Sequence, residues 1–395
     1  MTDDLLERFL RYVKIDTQSA EDTEEQPSTA KQRDLADLLA EELREMGAEV
    51  DYDREYCYVY AKVPGTLPAL GFVSHMDTSN AASGTNVQPR IIRNYDGNDP
   101  LLKTGDFPEL LNHIGEDLIA SDGTTLLGAD DKAGVAEIME LAAFYLAHPE
   151  KPHREIRIAF TPDEEVGRGT EHFDIGRFGA KEAYTVDGGK FGEIEYECFN
   201  AAGLTAEFSG RSVHPGDAKN KLRHACAFAM EFQSMLPPWE VPEHTEGYEG
   251  FYHLLEMKGD VEKAVLKYII RDHDAEKFAA RKAYAERVGV FLNEKYGEGT
   301  VRVTIRDQYR NMAEVLADHM DLVDRAKEEM AALGAVPEAK AIRGGTDGAA
   351  LSFRGVPCPN LSTGGYNFHG RFEYASINEM ETMVRVLIRL AGISG

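Results

Sequence analysis

The sequence predicts an α/β domain interrupted by a smaller ferredoxin-like (α+β) unit. Three observations carry this. Before about residue 202, apolar runs of strand length alternate with amphipathic helical stretches, the pattern of an α/β sheet. Several of those runs empty into acids, histidines or paired glycines, as strands do at the ligand-bearing edge of such a sheet. From about residue 203 the order becomes strand, helix, strand, strand, helix, strand, which is ferredoxin-like. The expected division is therefore 1–202 for the first part of the larger domain, 203–312 for the insertion and 313–395 for the second part.

Leu5, Leu6, Phe9, Leu10 and Val13 recur at helical spacing and predict a first helix. Residues 18–30 form a polar loop, after which Ser28 is placed to cap a second helix carrying Leu35, Leu38, Leu39 and Leu43. Gly47 is a stop signal for that helix. Strands are expected near 48–53, 56–63 and 69–75, whereas 80–118, rich in Asn, Gly and Pro, reads as long loop. Thr124–Gly134 opens a helix that runs on through Ile138, Leu141, Ala142 and Tyr145. Strands at 155–161 and 182–189 end in Pro162-Asp163-Glu164-Glu165 and Asp187-Gly188-Gly189. In the insertion, strands are expected from Leu204, near 251–257, near 264–271 and from Thr300, with helices at about 218–236 and 275–296. The last segment returns to helices and a Gly-rich loop, and neither an internal repeat nor a low-complexity tract is found.

Composition narrows the function classes. The chain has 395 residues, 43% of them hydrophobic, enough for a sizeable core. Forty-three basic side chains against 69 acidic ones leave a net charge of −26, which argues against nucleic acid or an anionic membrane as partner. The four cysteines Cys57, Cys198, Cys226 and Cys358 are scattered, which fits a reducing compartment and neither a disulfide scaffold nor a zinc finger. An acidic start without a signal peptide and the lack of a long apolar run lead to the expectation of a soluble cytoplasmic protein.

The chemistry gathers where strands meet loops. In Ser74-His75-Met76-Asp77, positions two apart on a strand point the same way, so the histidine and aspartate share a cleft. A ring held by a neighbouring carboxylate is a common metal-ligand arrangement, and a strand-end histidine capping a loop is the plainer reading. Asp130-Asp131, Glu164-Glu165, Asp187 and His369 each have a plain reading too: a helix cap, a solvated surface, a turn and an ordinary loop. Together they differ, because so many carboxylates on one sheet edge would repel unless cations lay among them. Two imidazoles with several carboxylates suit a pair of zinc-like divalent ions, with cobalt or manganese as alternatives. In Glu164-Glu165 one carboxylate can bind metal while its neighbour handles a proton. The chemistry supports metal-assisted hydrolysis of a carbonyl compound.

The segments Ser74-His75-Met76-Asp77-Thr78, Leu127–Gly134, Thr161–Gly167, Tyr184–Gly189 and Ser212-Val213-His214-Pro215-Gly216 occur in one order. In that order they resemble the peptidase T family of tripeptide aminopeptidases. This belongs to the co-catalytic zinc exopeptidases that include aminoacylase and glutamate carboxypeptidase. Tyr268-Ile269-Ile270-Arg271-Asp272 and Arg343–Gly348 favour that family over its more distant relatives, and the likeness reaches from the first helix to His369. It implies a mixed-sheet catalytic domain with a ferredoxin-like lid. It also implies two divalent ions, one held by His75 and Asp187, the other by Glu165 and His369, with Asp130 shared. Asp77 would orient His75, Glu164 would act as general base, and His214 would polarise the scissile carbonyl when the lid closes. Arg271 and Arg343 would bind the carboxylate of a short peptide substrate, a structural ion pair being the alternative for each. A cis peptide bond is implied between Asp130 and Asp131, and some relatives form homodimers through the lid. The chain departs from the family pattern at Asn80–Thr85 and near 100–118, on the rim of the cleft. The competing functions are a carboxypeptidase, an N-acyl amino acid deacylase, or a non-catalytic metal-dependent peptide-binding protein.

Overall fold

The structure is a computed structural model that describes residues 2–392. It forms two compact units, one of residues 1–196, 312–340 and 346–395, the other of 197–311 and 341–345.

The larger unit is built on an eight-stranded mixed sheet. Its strands, in spatial order, are Glu49–Asp53, Tyr58–Val63, Arg154–Thr161, Leu67–His75, Ala183–Gly188, Asn360–Ser362, Glu193–Cys198 and Glu338–Ile342. Leu67–His75 pairs in parallel with Arg154–Thr161 and Ala183–Gly188, so these three strands end on one edge. Alternation along each strand explains why both faces are covered. Val59, Ala61, Phe72, Ile158 and Phe160 join the main core with helices Thr2–Tyr12, Gln32–Met46, Ala129–Ala147, Met320–Ala332 and Ile377–Ala391. Their neighbours Tyr58, Tyr60, Val73 and Ala159 enter a second core with Phe173, Phe178 and Leu351.

Three local expectations are corrected. Helix Gln32–Met46 starts after Lys31 without a side-chain cap, because Ser28 bonds to Asp163 instead. It does stop at Gly47, whose φ of 98° is the left-handed conformation that suits glycine. The helix expected at about 218–236 covers only Ala225–Met235. Finally, 80–118 is not all loop. Arg90–Ile92 and Leu118–Ala120 pair with each other, and Leu118–Ala120 also pairs with Tyr374–Ser376, which pairs with Gly365–Tyr366. Strands of three residues are too short to show alternation, yet this small sheet supports the hairpin that carries His369.

The smaller unit is ferredoxin-like. Strands Asn200–Ser209, Phe251–Gly259, Lys263–Asp272 and Val301–Tyr309 form an antiparallel sheet in which the first and third are central. Leu204, Ala206, Phe208, Leu266, Tyr268 and Ile270 pack with Phe228, Phe232, Val288 and Leu292 of helices Ala225–Met235 and Ala275–Tyr296. Among the described residues no helix is long and apolar enough to cross a membrane.

Candidate metal centre

The C-terminal ends of the three parallel strands assemble the site within the larger unit. His75 is the last residue of Leu67–His75 and is buried, with side-chain exposure of 2%. Its Nδ1 lies 3.0 Å from the Asp77 carbonyl oxygen and 3.3 Å from Asp77 Oδ1. That pairing turns Nε2 toward the acids, 2.9 Å from Asp130 Oδ1 and 3.3 Å from Asp187 Oδ1. His369 Nε2 faces the other oxygen of the same aspartate, 3.1 Å from Asp130 Oδ2, and lies 3.0 Å from Glu165 Oε2. Asp130 thus presents one oxygen to each imidazole. The Asp130–Asp131 peptide bond is cis, as the resemblance implies.

Asp131 shares part of this space, since its ligand atom, that of His75 and that of Asp187 lie within 4.8 Å of one another. Its carboxylate is already used, however. Oδ2 accepts from Ser74 Oγ and from the His75 amide at 3.2 Å, and Oδ1 accepts from the Gly134 amide at 3.2 Å. Asp131 therefore holds the strand end and the helix start, and Asp130 is the carboxylate that faces the cleft.

Glu164 and Glu165 follow strand Arg154–Thr161 in one 3₁₀ turn. Both amides donate to Asp77, Glu164 N to Oδ1 at 3.0 Å and Glu165 N to Oδ2 at 3.1 Å. Asp77 thus holds the His75 ring and the Glu164-Glu165 backbone with one carboxylate. Asp163, at φ 58°, accepts from Ser28 and Gln32, which anchors the turn from its other side. The Glu164 carboxylate has no hydrogen-bond partner among the described residues, and Glu165 Oε1 is buried without one. A buried carboxylate oxygen left without a partner, on a residue grouped with His75 and Asp130, is what a metal ligand leaves when the ion is taken away.

The electrostatics agree. Burial, reinforced by Asp187, pushes the Glu164 carboxyl well above the usual carboxylate range. Burial raises Glu165 to about 7 and Asp187 to about 6. Hydrogen bonds to Asp130 and Glu165 lift His369 to about 11. For His75, burial opposes the charge but Asp187, Asp130 and Asp77 outweigh it, so the ring sits well above its ordinary value. Carboxylates that hold protons and imidazoles that keep them describe a pocket short of positive charge.

The remaining expected residues lie in the smaller unit. His214 is exposed, and its Nδ1 accepts from the Gly216 amide at 3.2 Å, which leaves the ring proton on Nε2. Arg271 is half-buried; its Nη1 donates to the carbonyls of Ile270 at 3.0 Å and Ala202 at 3.3 Å, and its guanidinium lies over the Tyr309 ring. Arg343 donates to the carbonyls of Gly247 at 2.7 Å, Glu249 at 3.0 Å and Thr245 at 3.3 Å, so it braces that segment. Among the described residues neither arginine makes the ion pair that was the structural alternative.

Residues 126–392 match the model of Peptidase family M20/M25/M40. A peptidase T of Geobacillus sp. (strain WCH70) is 50% identical over 402 residues, covering 99% of this chain and 98% of its own. A peptidase T of Clostridium perfringens (strain 13 / Type A) is 52% identical, covering 98% of each. Among solved structures, aminopeptidase PepT from Bacillus cereus ATCC 10987 superposes with a TM-score of 0.78 at 24% identity, covering 99% of this chain and 98% of its own. A tripeptidase from Staphylococcus aureus gives a TM-score of 0.81 at 22% identity over the same shares, so both have the same fold. The chain is a member of Peptidase family M20/M25/M40, a metallopeptidase whose full-length relatives are peptidase T proteins.

Proposed function

We propose that the chain is a dinuclear metallo-aminopeptidase that removes the N-terminal residue from tripeptides. The observation that carries this is the Asp130 carboxylate, with one oxygen at each imidazole and with Asp187 and Glu165 beside it. In this reading His75 and Asp187 hold one ion, His369 and Glu165 hold the other, and Asp130 is shared. Imidazole with carboxylate suits zinc, with cobalt or manganese as substitutes. When bound, such ions act as Lewis acids on the scissile carbonyl and make water more acidic.

The chain's own residues do the rest. Glu164, fixed through its amide to Asp77 and free at its carboxylate, takes a proton from the attacking water and delivers it to the departing amine. Asp77 keeps the His75 ring and the Glu164 turn in register. His214 offers an Nε2–H to the carbonyl oxygen, and Arg271, which has no carboxylate partner among the described residues, takes the peptide's terminal carboxylate. Arg343 has its donors engaged by the Thr245–Glu249 segment, so the arginine roles divide into anchor and brace. The ferredoxin-like unit is the lid of this reading. The names of the full-length relatives and of the S. aureus tripeptidase support the substrate class. Cytoplasmic placement rests on the four free cysteines.

A peptide panel with metal analysis tests it. Two ions per chain and cleavage of tripeptides after the first residue are expected, with blocked peptides and acylated amino acids left intact. Release of a C-terminal residue or of an acyl group would give the site to a carboxypeptidase or a deacylase. Two bound ions without turnover would make it a binding protein.

Two smaller predictions arise from the same geometry. The surrounding carboxylates strengthen the hold of both imidazoles on their protons in the metal-free protein, and burial pushes Glu165 up to about 7. Ion binding displaces these protons, so metal affinity rises with pH, by about tenfold per unit for each proton released. Isothermal titration in buffers of differing ionisation enthalpy counts them, and zero release would contradict the ligand set. For the second, His214→Ala should lower kcat by about 10²- to 10³-fold and leave KM nearly unchanged, because its bond forms as charge develops on oxygen. A change confined to KM would make His214 a ground-state contact.

A further inference from the structure

The start of helix Ala129–Ala147 has no cap of its own. Gly128 occupies the cap position, has no side chain to offer, and stands at φ 84°. The amides that open a helix need acceptors, and these are buried. The acceptor comes from 243 to 246 residues away. Glu373, only 1% exposed, accepts from Leu127 N at 2.7 Å and Gly128 N at 2.8 Å through Oε2, and from Asp130 N at 3.0 Å through Oε1.

Two facts make this more than a cap. One of the three donors is the amide of Asp130 itself. Glu373 also closes the hairpin loop that carries His369, where its own amide donates to Gly370 O at 3.2 Å. The next residues, Tyr374–Ser376, are pinned by pairing to Leu118–Ala120. One residue therefore ties together, through its carboxylate and its backbone amide, the two segments whose side chains meet at 3.1 Å, His369 Nε2 and Asp130 Oδ2.

We infer that Glu373 is a positioning residue of the metal centre, holding the Asp130 turn and the His369 loop at the separation from which they share an ion. The inference rests on the reading of Asp130 and His369 as ligands. It follows that the ion on the His369 side depends on Glu373 more than the ion on the Asp187 side. Glu373→Gln keeps the shape but turns an amide nitrogen toward at least one backbone N–H of the Leu127–Asp130 turn, so that turn is loosened against the loop from which Glu373 reaches it.

The test is Zn2+ binding to the full chain by chelator competition, with unfolding of the metal-free protein measured alongside. For Glu373→Gln, the Kd of one of the two Zn2+ ions should rise about 10- to 100-fold, the usual cost of losing a residue that orients a ligand. A rise of fivefold or more upholds the inference, and a smaller rise overturns it. A cap that served only the fold would lower the unfolding temperature and leave Zn2+ affinity within that limit. If the Gln variant does not fold, Glu373→Asp, which keeps the charge but is one methylene short, is read by the same threshold. Asp130→Asn separates the two levels. If it binds two Zn2+ ions as tightly as wild type, the ligand reading itself fails. If it loses Zn2+ while Glu373→Gln does not, only the role of Glu373 falls.

Discussion

Glu164→Gln retains both metal ions and loses about 10²- to 10⁴-fold in kcat, the range that a positioned acid–base group contributes. The metals stay because the Glu164 carboxylate takes no hydrogen bond from a ligand, and its amide, which the substitution leaves alone, keeps its bond to Asp77. KM changes little, since proton transfer belongs to the transition state and not to the bound substrate. Stability moves the other way. The Glu164 carboxyl is pushed well above the usual range by burial and by Asp187. A carboxyl raised in the folded state favours folding at low pH, and that contribution is lost as pH rises through its folded value. A neutral amide has no such loss, so the metal-free variant should have a Tm at neutral pH at least equal to wild type. Turnover close to wild type in a variant shown to carry both ions would remove Glu164 as the base.

The parts of this site that were legible in the sequence are those where a local rule points outward. Strand ends at His75, Thr161 and Asp187 were readable because long buried strands announce themselves by continuous apolar runs, and the residues that follow have to face a cleft. The ferredoxin-like order was readable for the same reason: its strands and its helix Ala275–Tyr296 are long enough to show their period. What stayed hidden was long-range satisfaction of backbone groups. Nothing near Ser28 says that it bonds to Asp163, 135 residues on, in place of capping the helix beside it. Asp77 looked like a partner for one ring, yet it also receives two amides from the Glu164-Glu165 turn. Asp130 and Asp131 are identical in type and adjacent. Only the fold shows that one is consumed by Ser74, His75 and Gly134 while the other faces both imidazoles. Glu373 offered a single faint signal, an acid four residues past His369 in a glycine-rich loop. Its meaning lies in donors that the sequence places far away.

Amidating the C-terminus of a good tripeptide substrate should lower kcat/KM by about 30- to 1,000-fold, equivalent to about 2–4 kcal/mol for a desolvated charge pair left with one partner. The reasoning starts from Arg271. It lies on strand Lys263–Asp272 and is half-buried, and burial lowers its hold on the proton. Its visible partners are two backbone carbonyls and the Tyr309 ring, none of them an anion. A guanidinium taken partly out of water without a carboxylate is unfavourable by itself, and a substrate that brings the carboxylate relieves that cost. A bidentate pair would fix both the charge and the direction of the peptide's end, so that a chain one residue shorter or longer misplaces its scissile bond. Arg271→Ala should therefore erase most of the difference between acid and amide, slowing the acid and leaving the amide nearly as it was. Arg271→Lys should recover only part, because an ammonium supplies charge without the planar fork. Arg343→Ala, by contrast, frees the Thr245–Glu249 segment and should affect acid and amide alike. If the wild-type enzyme cuts acid and amide equally well, no arginine reads the carboxylate. Length selection then passes to the segments expected from the sequence to depart from the family pattern, Asn80–Thr85 among them, and swapping that segment for a relative's becomes the informative change.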